Sequence, residues 1–420
     1  MMIEGEVEEL LQKLYVPSEA EVELLSQFAG AAYAHCVKAY PDRRSYVRRA
    51  YGPYSEADFM RPICLTGPAG VGKSALLQAL SRVMPEARAI DLGSGHAPAN
   101  VASSLCIQVR NKATLAEIMT PIFELGEAAG VPKRASDILS RAAAAAYKHG
   151  VWMLQLDEMQ FLTQSARANT AVTNMLYHAC YLGVPVVFVA NYSLCRLLQK
   201  RPEQDTQRLL SRVHVLFPSP PHSGAWMRYL REVGRTLAAT LDVNLVGMES
   251  ELYEKTAGLK RLLIGLVAAA HAVAWSSGRR RVSEEDIEQA YESTLYASNR
   301  KQAYEMLAGP TLRAHAQYVC PFPVEAEGAS AVADLRASMR SKELAELVQQ
   351  DVLLPSKRKA AAAIKKISDQ AKGGTAGAPQ PLHSGTAEKT AVQARRAAKL
   401  SVDELIRTNS RRRGLYPPER

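Results

Sequence analysis

The chain has 420 residues, 47% of them hydrophobic and 22% charged, with a formal charge of +10. Its length is a prior for two or three domains. No uninterrupted apolar run approaches the roughly 20 residues of a membrane helix. The acidic start MMIEGEVEELLQKL lacks the basic-then-apolar order of a signal peptide, so a cytoplasmic protein with no membrane contact is expected. The six cysteines are scattered without a C-x-x-C pair or histidines at ligand spacing, which favours reduced, buried thiols over a disulfide framework or a zinc site.

Residues 1–50 read as a helical N-terminal extension: EVEELLQKLYV and EAEVELLSQFAGAAYAHCVKAY keep apolar residues at helical spacing until PDRR interrupts them. RPICLTGP is then a short apolar strand and KSALLQALSRVM the helix behind it. SLCIQVRN is a second strand. ATLAEIMTPIFELGEAAG is a helix expected to stop at Gly130, and DILSRAAAAAYKHG another, with Gly150 as its C-cap. VWMLQLDE, a helix from Asn169 to Leu182, VPVVFVAN and the final strand VHVLF complete an alternation that predicts an α/β domain over 51–220, a parallel sheet with helices on both faces.

From 221 to 305 strand signals vanish and an all-helical lid is expected. Within it Ser283 caps a helix whose first turn holds Glu284, Glu285 and Asp286. Residues 306–354 continue as a helical extension through VADLRASMRSKELAELVQQDVLL. Residues 355–420 form a basic, partly disordered tail with 15 Lys/Arg against five Asp/Glu, so the whole charge excess sits there. AKGGTAGAPQPLHSGTAEKT is a linker, and Ser401 caps a short helical element over 402–407. Such a tail suits a polyanion or an acidic protein surface.

Gly67-Pro68-Ala69-Gly70-Val71-Gly72-Lys73-Ser74 matches G-x-x-x-x-G-K-[ST], between a strand and a helix, with Ala75 next. Its glycines let backbone N–H groups face phosphate oxygens at the positive end of a helix. Lys73 reaches the terminal phosphates of ATP and the Ser74 hydroxyl takes Mg2+. LQLDE ends a buried strand on Asp157, placed to hold the metal, and Glu158, placed to polarise the attacking water; two adjacent carboxylates there are costly without a cation. Asn191 ends the next strand, as a water-orienting side chain or as a plain turn residue. QRLLSRVHVLF sets Arg208 and Arg212 before the last strand. Either is a surface arginine or projects into a neighbouring subunit's nucleotide, and Arg212, directly abutting the strand, is preferred. In TAGLKRLLIGL, Arg261 near a helix start is placed to touch the γ-phosphate, unless it or Lys260 is merely solvated.

The order of phosphate loop, LQLDE, Asn191, Arg212 and GLKR resembles AAA+ ATPases. VPKRASDILSRAAAAAYKHGVWMLQLDEMQFL followed by SARANTAVTNMLYHACYLGVPVVFVANYSLCRLL resembles, more narrowly, the TnsC/TniB-type ATPases of multi-component DNA transposons. The resemblance covers roughly residues 50 to 300 and is specific from 131 to 216. It implies an AAA+ P-loop fold and an ATP- and Mg2+-dependent ATPase. It also implies assembly with copies of itself into a ring or helical filament on double-stranded DNA, and a link from a target-selection protein or RNA-guided complex to transposase subunits. Hydrolysis would dismantle the assembly. By the same resemblance Lys73 and Ser74 grip nucleotide and metal, Asp157 holds the metal and Glu158 activates water. Asn191 and Arg261 sense the γ-phosphate, and Arg212 acts across the subunit boundary. Members often carry a small hydroxyl or glycine where this chain has Asn191. Arg110 and Lys112 in QVRNKAT either belong to a solvated loop or, at the edge that would face a central pore, contact the DNA backbone, and the last twenty residues suit transposase docking.

Other classes remain open. A replication-initiator-like ATPase would want a winged-helix module after the lid, and a secretion-associated one a membrane span; neither is visible. A scaffold that binds ATP without hydrolysing it could dispense with Glu158.

Overall fold

The computed structural model describes residues 4–51, 59–91, 99–109, 114–125, 134–159, 168–308, 318–324 and 328–351. Contacts divide the chain into two units, 1–344 and 345–420. Of the second, the described residues are the final turns of one helix.

Strands are β1 (Ile63–Thr66), β2 (Arg88–Ile90), β3 (Ala99–Val101), β4 (Ser104–Gln108), β5 (Met153–Asp157), β6 (Val186–Ala190) and β7 (Val213–Val215). Five form one sheet in the order β4-β5-β6-β1-β7, every pairing parallel. The three central strands β1, β5 and β6 are buried at every residue, as strands covered on both faces must be. Alternation sorts their side chains into two cores. Ile63, Leu65, Met153, Val187 and Val189 face one; Cys64, Leu154, Leu156, Phe188 and Ala190 face the other. β2 and β3 form a separate antiparallel pair that the sequence pattern did not announce, since each is only three residues long.

Before β1 come α1 (Glu4–Gln12), α2 (Glu19–Ala39) and α3 (Arg43–Ala50); PDRR does break the first long helical run, and Asp42 caps α3. Between strands lie α4 (Lys73–Val83), α5 (Leu115–Phe123), α6 (Ala135–Lys148), α7 (Ala168–Cys180), α8 (Tyr192–Gln199) and α9 (Glu203–Leu209). α5 ends at Phe123, short of Gly130, two residues after Pro121 removes an intrahelical donor; residues 126–133 lie outside the described ones. The C-cap of α6 is His149 and not Gly150, which comes one residue later with a left-handed φ of 60°, the position where glycine most often ends a helix.

After β7 the described residues are helical: α10 (Gly224–Thr236), α11 (Glu249–Thr256), α12 (Lys260–Ser276), α13 (Glu284–Glu292), α14 (Ala297–Ala308) and α15 (Ala329–Asp351). Their one strand-like feature is an isolated bridge between Leu241 and Val282. Ser283 and Asp286 close a capping box on α13, as the sequence indicates. The first core runs from β1 through α4 into these helices and takes in Val7 and Leu11 of α1 and Phe28 and Ala32 of α2. Among the described residues no single helix is long and apolar enough to cross a membrane. The six cysteines are free; Cys64, Cys180 and Cys195 are buried and Cys106 is exposed. The linker, the 402–407 element and the basic tail fall outside the described residues.

Candidate nucleotide-binding site

β1 runs straight into the glycine loop, and α4 leaves it at Lys73. Gly67 passes so close to the chain after β7 that a Cβ there would lie 2.3 Å from the Leu216 oxygen. Gly70 takes a φ of 87°, and a Cβ on it would come within 3.0 Å of Arg261. Both positions therefore demand glycine. The N-cap of α4 is Gly72, which supplies no side-chain hydrogen bond, and no acid sits in its first turn. The starts of α2, α8, α10 and α13 are each closed by a Ser or Asn side chain. The opening N–H groups of α4 thus keep their capacity for an anion, and the helix dipole favours one there.

Lys73 folds back over the loop, its Nζ donating to the Gly67 and Pro68 carbonyls at 2.9 Å each. Burial pushes its pKa down to about 8, the Arg261 charge pushes the same way, and the Asp157 and Glu158 carboxylates hold it up. Asp157 is buried at the tip of β5, where Val109 N donates to its carbonyl at 3.0 Å. Glu158 follows with a φ of 60°, unusual for a side-chain-bearing residue, and its N–H donates to Asp157 Oδ1 at 2.8 Å. Such a conformation costs about 1 kcal/mol or more and tends to persist where function holds it. Burial and then Asp157 raise the Glu158 pKa, against the pull of Lys73 and Arg261. Below them the buried Gln155 donates to Ser81 Oγ at 3.2 Å, tying β5 to α4.

The opposite wall is helical. Ala257 and Gly258, both left-handed, turn the chain from α11 into α12. Arg261 N–H donates to Gly70 O at 3.2 Å, and its guanidinium donates to Gln302 Oε1 at 3.2 Å. Gln302 in turn donates to Ala69 O at 3.0 Å, so α14 also grips the loop. Lys260 Nζ donates to both Glu21 carboxylate oxygens at 2.9 Å and to Val16 O at 3.3 Å, between the rings of Tyr15 and Tyr229. Glu21 is 2% exposed and lies against Gly72, so α2 too borders the loop.

Of the expected site residues, Gly67 to Ala75, Asp157, Glu158 and Arg261 are gathered here, with Ser74 and Ala75 half-buried in the first turn of α4 and Val71 buried beneath the loop. Asn191 directly follows Ala190, the register partner of Thr66, and is the N-cap of α8; its Oδ1 accepts from Leu194 N at 2.9 Å and Ser193 Oγ at 2.8 Å. Arg212 is exposed and stands at the far end of the sheet, where its carbonyl accepts from Cys64 N at 2.8 Å. The three residues of β7 separate it from the loop, about 10 Å at some 3.3 Å per residue. Arg208 is exposed on α9, 5.7 Å from the Phe59 ring. Arg110 and Lys112 lie outside the described residues. Gln302, Lys260 and Glu21 were not singled out as site residues from sequence. Gln302 carries no local signal, and Glu21 is legible only as the partner of Ser18 in the capping box that opens α2.

The oxygen donors Ser74 and Asp157, with Glu158 alongside, suit a hard cation such as Mg2+, which takes few protein ligands and completes its shell with phosphates and water. Among the described residues no group of three or more His, Cys, Asp or Glu side chains gathers to hold a metal by itself.

Residues 60–198 match the family model described as an AAA domain. No curated protein matches the chain. Similar solved structures include the Aeropyrum pernix ORC1 protein in complex with DNA, 17% identical, with 72% of this chain and 70% of that chain covered and a TM-score of 0.42. The ADP form of the Aeropyrum pernix ORC2 protein is 16% identical over 71% of this chain and 76% of that chain, TM-score 0.45. C. elegans PCH-2 is 15% identical over 71% and 72%, TM-score 0.37. With the family match running from three residues before β1 into α8, around a glycine loop that feeds a helix without a side-chain cap, this chain contains an AAA-type P-loop ATPase domain.

Proposed function

We propose that the protein is an ATP-dependent, DNA-binding regulator of transposition that acts in the cytoplasm. It assembles with copies of itself on double-stranded target DNA, connects a target-selection protein or RNA-guided complex to transposase subunits, and disassembles on hydrolysis. The motif order from 131 to 216, a proline-basic turn, a helix, DEMQFL and LGVP, is the observation that carries this function.

The chemistry follows from the site. The first-turn N–H groups of α4 and the Lys73 ammonium hold the phosphates, and Arg261, fixed on Gly70, meets the terminal one. Ser74 and Asp157 would hold Mg2+, which would supply neutralisation of phosphate charge when bound. Glu158, its pKa raised, takes the proton of the attacking water. Asn191 orients that water through the side-chain amide nitrogen, its oxygen being spent on the cap of α8. Arg212 and the loop sit at opposite ends of the strands, which supports a role for this arginine on a triphosphate held by a second copy and would make self-assembly part of catalysis.

Electron microscopy of the protein with duplex DNA tests this function. Ordered assemblies are expected with a non-hydrolysable ATP analogue and not without nucleotide. A protein that stays monomeric on DNA with every nucleotide supplied would overturn the proposal.

A further inference from the structure

Away from the nucleotide site, α3 carries a dense group of positive charge on the described surface. Four of its eight residues are Arg43, Arg44, Arg48 and Arg49, with Lys38 just upstream at the end of α2. The one acid between residues 38 and 51 is Asp42, which is occupied in capping Ser45 N at 2.8 Å and Ser45 Oγ at 2.7 Å. No salt bridge among the described residues engages Lys38, Arg43, Arg44 or Arg48.

The placement runs against helix stability. Arg43 and Arg44 occupy the first turn, the positive end of the dipole, where the N-cap Asp42 is the one acid against the four arginines of the helix. Arg44 and Arg48 stack like charges one turn apart. Broken local rules of this kind mark sites kept for a ligand. The helix is nonetheless held firmly. Tyr46 is buried and its hydroxyl donates to Lys148 O; Tyr40 OH donates to Tyr147 O and Tyr147 OH to Ala39 O, each at 3.2 Å. The Tyr40 and Tyr147 rings stack at 4.9 Å, with the Arg49 guanidinium 4.2 Å over Tyr147. The positive field reaches inward: burial, then Arg49 and Lys38, push the neighbouring His35 down.

We infer that the outer face of α3, Arg43, Arg44 and Arg48 with Lys38 beside them, binds the phosphate backbone of duplex DNA. The inference rests on the proposal above that the protein acts on DNA. The guanidinium fork matches phosphate oxygens two at a time. A membrane surface would require an apolar face to insert, and Tyr46, Val47 and Ala50 are already spent on the aromatic cluster beneath.

The test is titration of a labelled duplex with the full-length protein and a non-hydrolysable ATP analogue across about 50 to 200 mM salt. The variant pairs Arg44→Gln/Arg48→Gln and Arg44→Lys/Arg48→Lys are compared with the native protein. Loss of two phosphate contacts should weaken binding roughly tenfold or more and reduce the salt slope by about 2 for the Gln pair. The Lys pair should keep the slope, and nucleotide binding should not change. Native binding that the Gln pair matches in strength and slope overturns the assignment of α3 while leaving the DNA proposal intact. A native protein that ignores DNA overturns both, as does arginine-dependent binding to phosphatidylserine vesicles in place of DNA. Should the Gln pair lower the melting midpoint, the Lys pair decides, since a lost slope there also overturns the assignment.

Discussion

On the side of the sheet, the phosphate loop's own Lys73, first residue of α4, faces Asp157 and Glu158 at the tip of β5; on the other side the loop is met by Arg261, Gln302 and the Lys260–Glu21 pair. The sheet side is electrostatically unsettled. Lys73 is pushed down and Glu158 pushed up, each held in check by the other's charge. The helical side is settled, with its cations matched by a carboxylate, an amide and ring faces. Opposed shifts mark groups arranged for chemistry, whereas matched pairs mark groups arranged to hold position. The two walls should therefore fail differently when altered.

Lys73→Ala should be the most severe change. It removes the cation proposed to meet the phosphates and should weaken nucleotide binding by about 100-fold, on the order of 3 kcal/mol, in a fluorescent-nucleotide titration. Glu158→Gln should leave binding near native but lower steady-state hydrolysis by about 10²- to 10⁴-fold. Unchanged turnover would remove Glu158 from the reaction and erase the distinction between the walls.

On the helical side, Glu21→Gln strands Lys260 in a mostly buried position. A loss of about 3 kcal/mol in denaturant unfolding is expected, with a raised KM for ATP and a nearly native kcat. A fall in kcat with KM unchanged would make the pair catalytic and collapse the contrast.

Titration sharpens the contrast further. Free Lys73 loses its proton near pH 8, below its ordinary value, and bound phosphate restores the charged form. Binding then takes up a proton above that point, so affinity should be flat below about pH 8 and fall up to about tenfold over the next unit. Calorimetry in two buffers of different ionisation enthalpy measures that uptake. The smallest effect is expected of Gln302→Ala, about 1 kcal/mol in nucleotide affinity, because it deletes one contact to the loop and one to the Arg261 guanidinium while the Arg261 N–H still holds Gly70.

Legibility in the sequence divides along the same line. β1, the glycine loop and β5 could be read because their chemistry lies in consecutive residues and the doubly buried strands leave continuous apolar runs. Arg261 could be singled out because TAGLKRLLIGL sets it at the start of a helix. Gln302 and the second role of Glu21 depend on contacts 233 and 239 residues apart in the chain, which no local pattern encodes. Asn191 illustrates a third case: both meanings weighed from sequence concern the same strand end, and its cap on α8 occupies only one of its two polar atoms. The end of α5 at Phe123 has a local sign in Pro121, set within an apolar run that otherwise keeps helical spacing.

The apolar continuity from α1 and α2 into α12 bears on how the protein can be dissected. A clone begun just upstream of β1 would uncover the flank of α12 and leave Lys260 facing water with no counter-ion. Such a product would lose one side of its nucleotide pocket together with its leading helices. A dead truncation would therefore say nothing about whether those helices recruit a partner.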